Sequence, residues 1–199
     1  MLTVLLASFT WLREQGITLN NYWALMHVSR PNYVAAVAGR TYFLLYIWWD
    51  FLLGWSWVPK RKKTITHLLD HKNISWGSYQ EGLPYSGFRG ERYMDPVTGA
   101  SSYERKHNPL MNFKSVANSP ESRAKVKNLT MFEQDLAENK LPQWMFITPD
   151  MQNSGHDTSI THAGTWMKEF LEPLLTNPNF MNNTLIIISM PLSPKCCND

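Results

Sequence analysis

The sequence predicts an α/β fold in which a mostly parallel sheet carries helices on both faces. Residues 144–147 form a short apolar run between two prolines, as in a strand, and residues 185–188 are an aliphatic run typical of a buried parallel strand. Between these runs, residues 164–175 place apolar side chains at helical spacing. Helices that alternate with buried strands imply a sheet covered on both sides, so the order of these segments indicates the fold class.

The first forty residues predict two helices and a strand. Residues 9–15 are predicted as a short helix that Gly16 ends, because glycine is the usual residue just after a helix. Residues 17–23 are predicted as a strand. Residues 31–37 are predicted as a helix, because a proline occupies the first position and a glycine lies just past the end.

The centre of the chain continues the alternation. Residues 66–70 are predicted as a helix and residues 74–79 as a strand. The tetrapeptide from Thr130 to Glu133 matches a capping box, in which a threonine and a glutamate bond the first free N–H groups of a helix. This capping box predicts a helix over residues 131–138.

Composition excludes several classes of protein. A chain of 199 residues suits one domain with its own core, and 44% apolar with 18% charged residues argues against disorder. The net charge of +3 and a single dense basic run at residues 60–63 argue against a nucleic-acid-binding domain. The only cysteines, Cys196 and Cys197, are adjacent, so they predict neither a disulfide framework nor a spaced metal motif.

An apolar segment at residues 42–58 departs from the α/β pattern. Asp50 is its only charged residue, and the basic run at 60–63 follows it, as in a transmembrane helix with a positive flank. The segment is short for a span and Asp50 would be costly in lipid, which disfavours a membrane span. An interfacial helix and a non-native insert over residues 40–63 are the alternatives.

Two features bear on secretion. Residues 1–9 have an apolar core without a basic region before it, which favours an element of the fold over a signal peptide. Three Asn-x-Ser/Thr patterns, at Asn73, Asn128 and Asn182, fit a glycosylated secreted protein, although such short patterns also arise by chance.

The loop after the strand at residues 144–147 is the first candidate site. It holds Asp150, Asn153, His156 and Asp157, and the last two belong to a Gly-His-Asp triplet. Ligands of open α/β sheets bind beyond the carboxyl ends of the strands, because side chains converge there without blocking the core. This position favours a catalytic or ligand-binding role for the loop. The alternative is a solvated surface loop without such a role.

The start of the helix at residues 31–37 is the second candidate site. Ser29 precedes that helix, whose unpaired N–H groups and positive dipole end form a natural phosphate cradle. Ser29 is therefore placed to attack a phosphoryl group, with Arg30 or Asn32 steadying its oxygens. The alternative is that Ser29 only caps the helix, and among its neighbours only His27 could activate it.

A third candidate site is the polar stretch from Arg105 to Asn108. It contains two cations, an imidazole and an amide, which together could bind an anion. A charged loop that ends in a turn at Pro109 is the alternative.

Long runs of this chain closely resemble the fungal secreted acid phosphatases of the phosphoesterase family, which also includes bacterial acid phosphatases and phospholipases C. The runs are SRPNYVAA, ISWGSYQEGLPYSGF, YERKHNPL, KNLTMFEQDLAENKLPQWMFITPDM, GHDTSIT and FLEPLLTNPNFMNNTL. They cover residues 12–39 and 64–188 in order and spacing. The resemblance implies one phosphoesterase domain over residues 1–199, an alkaline-phosphatase-like α/β fold, and hydrolysis of phosphate monoesters at acid pH outside the cell.

The resemblance also implies roles for single residues. Ser29 matches the family's nucleophile and Asn32 lies in the same motif. His107 and Asn108 match an element that faces the substrate phosphate. The Gly-His-Asp element implies that His156 acts as a catalytic acid or as a metal ligand, with Asp157 as a second ligand. A divalent metal is compatible with such a site, and its identity stays open.

The chain also departs from the family pattern. An early Glu-Asn pair and an acidic cluster after residues 185–188 have no match, so the sheet and the site are predicted to be incomplete at both ends, as in a truncated member. The family's Asn-Asp-Gly-His loop reads Asn153-Ser154-Gly155-His156 here. A catalytically inactive phosphoesterase-like protein, associated with a membrane through residues 42–58, is therefore the alternative function.

Overall fold

The computed structural model describes residues 7–26, 29–42 and 57–189. The described helices are α1 (Ala7–Glu14), α2 (Ser29–Ala38), α3 (Ile65–His71), α4 (Lys114–Ala117), α5 (Pro120–Ala124), α6 (Thr130–Ala137), α7 (Ile160–Leu175) and α8 (Pro178–Met181). The described strands are β1 (Trp76–Gln80), β2 (Arg92–Met94), β3 (Ser101–Glu104), β4 (Val126–Asn128) and β5 (Trp144–Thr148). Two short 3₁₀ turns, Arg105–His107 and Leu110–Asn112, connect β3 to α4.

A parallel sheet of order β4-β1-β5 forms the centre of the described structure. Strand β1 pairs along its whole length with β5, from Trp76 opposite Trp144 to Gln80 opposite Thr148. Strands β2 and β3 form a separate antiparallel pair. The predicted α/β class with a mostly parallel sheet is confirmed, and the arrangement is consistent with an alkaline-phosphatase-like fold.

Helices cover both faces of the sheet because side chains alternate along its strands. Trp76 belongs to a core that includes Val34 and Val37 of α2. Tyr79, which points to the opposite face, belongs to a core that includes Phe132 of α6 and Leu171 of α7. Each face therefore has its own apolar core, as the sequence predicts for a doubly covered sheet.

The predicted segments with a clear helical or strand pattern are confirmed with shifted ends. Helix α7 begins earlier than predicted, because Ser159 caps it by accepting a hydrogen bond from the N–H of His162. The predicted capping box at Thr130 is wrong. The side chain of Asn128 instead accepts the N–H of Thr130, which lies inside α6.

The two predicted strands at residues 17–23 and 185–188 are wrong. Neither segment is a strand, and the side chains of Ile17 and Leu185 are 93% and 84% exposed. A strand exists only where a neighbour accepts and donates its backbone hydrogen bonds, and neither segment has such a neighbour among the described residues. Apolar composition alone did not decide the conformation.

Most of the apolar segment at 42–58 lies outside the described residues, so the interpretation of that segment stays a prediction. Its two described ends pack into the fold: Tyr42 contacts the ring of Phe113 edge-on, and the fully buried Val58 forms a parallel bridge with Phe113. Across residues 7–26, 29–42 and 57–189, no helix has the length and apolar character that crossing a bilayer requires.

Candidate active site

The carboxyl ends of β1 and β5 meet at one edge of the sheet because these strands are parallel neighbours. The N–H of Glu81, the first residue after β1, donates to the carbonyl of Thr148 over 3.0 Å, and Nε2 of Gln80 donates to Oγ1 of Thr148 over 3.0 Å. A small cleft lies here, and His107 and Glu104 are among the residues that line it. This is the edge at which α/β proteins bind ligands.

The loop after β5 is folded by its own polar groups. Oδ1 of Asp150 accepts the N–H groups of Gln152 and Asn153 over 2.9 and 2.7 Å, which closes a tight turn. Gly155 has a φ of +74°, and a Cβ there would lie 3.2 Å from the Cβ of Ala163. Only glycine adopts this backbone conformation without strain, and His156 follows it directly in the chain.

His156 has a polar neighbour at each ring nitrogen. Nδ1 lies 2.6 Å from Oδ1 of Asp157, and Nε2 lies 3.4 Å from Nζ of Lys106. A carboxylate oxygen only accepts, so Nδ1 carries the hydrogen and Asp157 orients the ring. Nε2 is therefore the nitrogen that faces the cationic side of the site. The imidazole is 38% exposed and within reach of a ligand from solvent.

His107 is buried between two rings. It stacks on Tyr33 with ring centroids 5.0 Å apart and meets His156 edge-on at 5.4 Å. Burial lowers the pKa of His107 to about 3, with further contributions from the positive charges at Lys106 and His156. Nδ1 of His107 is buried without a hydrogen-bond partner among the residues that the structure describes.

Ser29 is the first residue of α2 and is partly buried. Tyr33 lies four residues further along the helix, and residues at that spacing share one face. Tyr33 contacts His107, which in turn contacts His156, so the part of α2 that carries Tyr33 packs beside the two imidazoles. That Ser29 faces them as well stays a prediction from the helical spacing.

An acidic bridge joins the start of α2 to the 3₁₀ turn that carries His107. Glu91 accepts from both Arg30 and Arg105, one on each carboxylate oxygen. The guanidinium of Arg105 also lies over the ring of Trp57, with Cζ 3.7 Å from the ring centroid. These contacts hold the turn against the helix that begins at Ser29.

Two predicted substrate-binding amides are engaged with the protein. Asn32 is buried, accepts the N–H of Met26 over 3.0 Å and donates to its carbonyl over 2.9 Å, which fastens the chain leading into α2. Asn108 is fully buried, donates to the hydroxyl of Tyr103 over 3.2 Å and accepts the N–H of Met111. Contact of either amide with a substrate stays a prediction.

The described side chains do not fit a metal ion as they are arranged. No group of three His, Cys, Asp or Glu side chains able to hold a cation occurs within the described ranges. His156 and Asp157 are bonded to each other, and the ammonium group of Lys106 lies beside the free edge of the imidazole. Metal binding by His156 and Asp157 stays a prediction from the resemblance.

Two residues of the site were not singled out from the sequence. Tyr33 links α2 to His107, and Glu81 borders the cleft. Lys106, which lies beside His156, belongs to the stretch that was predicted to bind an anion. Glu81 was predictable in principle, because it follows β1 directly, just as Asp150 closely follows β5. Tyr33 carried no such signal, since an aromatic residue in a helix is usually part of a core.

Comparison with known proteins shows the family of this chain. The Phosphoesterase family profile matches residues 6–190. The chain is 50% identical over 182 residues to a probable acid phosphatase of Kluyveromyces lactis, covering 92% of this chain and 42% of the relative. It is 46% identical over 179 residues to an acid phosphatase of Aspergillus fumigatus, covering 90% of this chain and 39% of the relative.

A more distant relative is a phosphatidylinositol-3-phosphatase of Mycobacterium tuberculosis, which is 26% identical over 181 residues, covering 89% of this chain and 53% of the relative. The chain thus spans less than half the length of the fungal relatives it matches. The family profile covers nearly the whole sequence, and the chain belongs to the phosphoesterase family.

Proposed function

We propose that this protein is an acid phosphatase that hydrolyses phosphate monoesters with Ser29 as its nucleophile. The observation that carries the proposal is the series of ring contacts from Tyr33 through His107 to His156. Because Ser29 precedes Tyr33 by one helical turn, these contacts support a position of Ser29 near the Gly-His-Asp loop. The fungal relatives, which are named acid phosphatases, support the same reaction.

Two positive groups favour binding of a phosphate at this place. Helix α2 has ten residues, and its N-terminus carries the positive end of the helix dipole. Lys106 adds an ammonium group beside His156, and Glu104, at 3.8 Å from that ammonium, offsets part of its charge. The phosphate of the substrate is held between the helix terminus and Lys106.

In the first step, Oγ of Ser29 attacks phosphorus, and the bond from phosphorus to the alcohol oxygen breaks as the bond to Ser29 forms. With Lys106 turned to the substrate phosphate, Nε2 of His156 delivers a proton taken from solvent to the departing alcohol, and the serine proton passes to solvent. In the second step, water attacks the phosphoserine, inorganic phosphate leaves, and Ser29 and His156 regain their protons. His107 stays neutral and keeps His156 in place through ring contact.

Hydrolysis of p-nitrophenyl phosphate near pH 5 by the purified chain tests the proposal. Ser29→Ala is expected to lower kcat by at least about 10³-fold, because it removes the nucleophile. Ser119→Ala is the matched control, since Ser119 also precedes a proline at the start of a helix but caps it at α5. The control is expected to lose about 1 kcal/mol of stability and to keep its activity.

Turnover that survives Ser29→Ala would contradict the nucleophile, and so would an equal loss in Ser119→Ala. A correctly folded wild-type chain with no turnover above background would contradict the phosphatase itself. That result would leave the catalytically inactive phosphoesterase-like protein.

The resemblance also supports a location outside the cell, with glycans at some of the three Asn-x-Ser/Thr patterns. Asn73 and Asn182 are exposed, whereas the amide of Asn128 is partly buried and donates to the carbonyl of Leu83. We therefore expect glycans at Asn73 and Asn182 and none at Asn128 in protein purified from a fungal culture medium. Mass spectrometry of glycopeptides checks this expectation.

A further inference from the structure

Glu81 is a partly buried carboxylate that the reaction described above does not use. It accepts hydrogen bonds from three residues in two parts of the chain. The N–H of Asp150 donates to Oε2 over 2.9 Å, Nδ2 of Asn153 lies 3.0 Å from both oxygens, and Nε1 of Trp166 donates to Oε1 over 3.2 Å. One side chain at the end of β1 thus ties down the loop after β5 and helix α7.

We infer that Glu81 is a positioning residue, which sets the loop at residues 149–157 and thereby holds the imidazole of His156 against Lys106 and His107. The inference rests on the proposed function, because it deepens the role of His156 in that site. Glu81 and His107 line the same cleft, so the anchor of the loop lies beside the groups that the loop must meet.

The polarity of the network requires a carboxylate at position 81. All three partners are N–H donors, and a carboxylate is acceptor-only. Glutamine has nearly the same shape, but its amide would turn an NH₂ group toward at least one of these donors. Burial raises the pKa of Glu81, and the hydrogen bonds from Asp150 and Asn153 oppose that effect by favouring the ionised form.

The hydrogen bond from Asn153 to Glu81 fixes the position of the loop that leads to His156. Because the NH₂ group of Asn153 faces Glu81, its Oδ1 faces outward and lies 2.8 Å from Nε2 of His162 on α7. Asn153 is therefore held at both ends of its amide, and His156 follows three residues later. The N–H of Asp157 donates to the carbonyl of Met151 over 3.2 Å and closes the other side of the loop.

Loss of this anchor is expected to reduce kcat more than it changes KM. Lys106 and the N-terminus of α2 bind the phosphate, and within the described residues no side-chain hydrogen bond of Glu81 goes to either of them, so substrate binding survives. A displacement of His156 by about 1 Å is expected to lower the rate by about 10²-fold, because proton transfer depends on close alignment.

The decisive experiment is a double-mutant cycle on the full chain with p-nitrophenyl phosphate, combining Glu81→Gln with His156→Ala. Glu81→Gln alone is expected to lower kcat by about 10²-fold with little change in KM. In the His156→Ala background the same change is expected to have no further effect, because Glu81 acts through His156. Glu172→Gln, an exposed glutamate of α7, is the matched control and is expected to leave both constants unchanged.

Full additivity in the cycle would overturn the inference, as would a Glu81→Gln variant with wild-type kcat. A nuclear Overhauser contact between the rings of His107 and His156 gives a readout that needs no turnover. We expect it in the wild type and in Glu172→Gln, and we expect its loss in Glu81→Gln. A chain without phosphatase activity that nevertheless loses this contact in Glu81→Gln would refute the proposed function and retain the positioning role. If the contact persists in Glu81→Gln, the positioning role is refuted.

Discussion

The buried imidazole of His107 makes the stability of this protein depend on pH in a defined direction. The ring is 5% exposed, and burial lowers its pKa in the folded state from 6.5 to about 3. The unfolded chain takes up a proton on this ring as the pH falls below 6.5, whereas the folded chain does not. The contribution to stability is therefore complete above pH 6.5 and is progressively lost as the pH falls from 6.5 toward 3.

The expected loss follows from the two pKa values. At pH 5 the unfolded imidazole is almost fully protonated and the folded imidazole is neutral. One pKa unit corresponds to about 1.4 kcal/mol, so the gap of about 1.5 units between pH 5 and the unfolded pKa costs about 2 kcal/mol relative to pH 7.5. This predicted loss is a large fraction of the free energy of unfolding of a whole domain, which is typically about 5–15 kcal/mol.

His107→Phe isolates this effect, because phenylalanine keeps the stack on Tyr33 and removes the titrating group. Urea denaturation at pH 7.5 and at pH 5, followed by circular dichroism, measures the free energy of unfolding of each variant. We expect the acid-induced loss to be about 2 kcal/mol smaller in His107→Phe than in the wild type. His71→Phe, at the exposed end of α3, is the control. An identical pH dependence in His107→Phe and the wild type would refute the reasoning.

Three further predictions test the loop, the core and the anion site. Gly155→Ala is expected to cost about 1–3 kcal/mol in thermal denaturation, because it places a side chain at a φ of +74° and against Ala163; an unchanged Tm would contradict the strain. Tyr79→Phe is expected to cost about 1–2 kcal/mol in urea denaturation, because the Tyr79 hydroxyl donates to the buried carboxylate of Asp135 over 2.5 Å, and no loss would mean that water replaces it. Lys106→Met is expected to raise KM for p-nitrophenyl phosphate and to weaken its salt dependence, and an unchanged KM in low salt would place the phosphate elsewhere.

The segments that the sequence predicted correctly are those whose pattern is local. Helix α7 was evident because its apolar side chains recur at helical spacing, and β5 was evident as an apolar run between prolines. The strands predicted at 17–23 and 185–188 were wrong because a strand is defined by its neighbour. The predicted capping box at Thr130 was wrong because the side chain of Asn128, two residues earlier, accepts the N–H of Thr130.

The candidate site shows the same division. The resemblance indicated Ser29, His107 and His156 as members of one site, and the ring contacts through Tyr33 are consistent with that grouping. The same reasoning assigned Asn108 to the substrate; its amide is hydrogen-bonded to Tyr103 and Met111, and its contact with a substrate stays a prediction. A motif identifies which residues matter, but it does not tell whether a polar group faces a ligand or the protein.

By itself, the sequence determined the family, the α/β class and the two segments that carry the catalytic candidates, because these depend on motifs and on periodicity within short stretches. Only the tertiary structure decided that Glu81 anchors the loop of His156. Glu81 is 72 residues from Asn153 and 85 from Trp166, and their hydrogen bonds depend on the pairing of β1 with β5 and on the packing of α7. Register and packing are properties of the assembled sheet, so no pattern along one strand can report them.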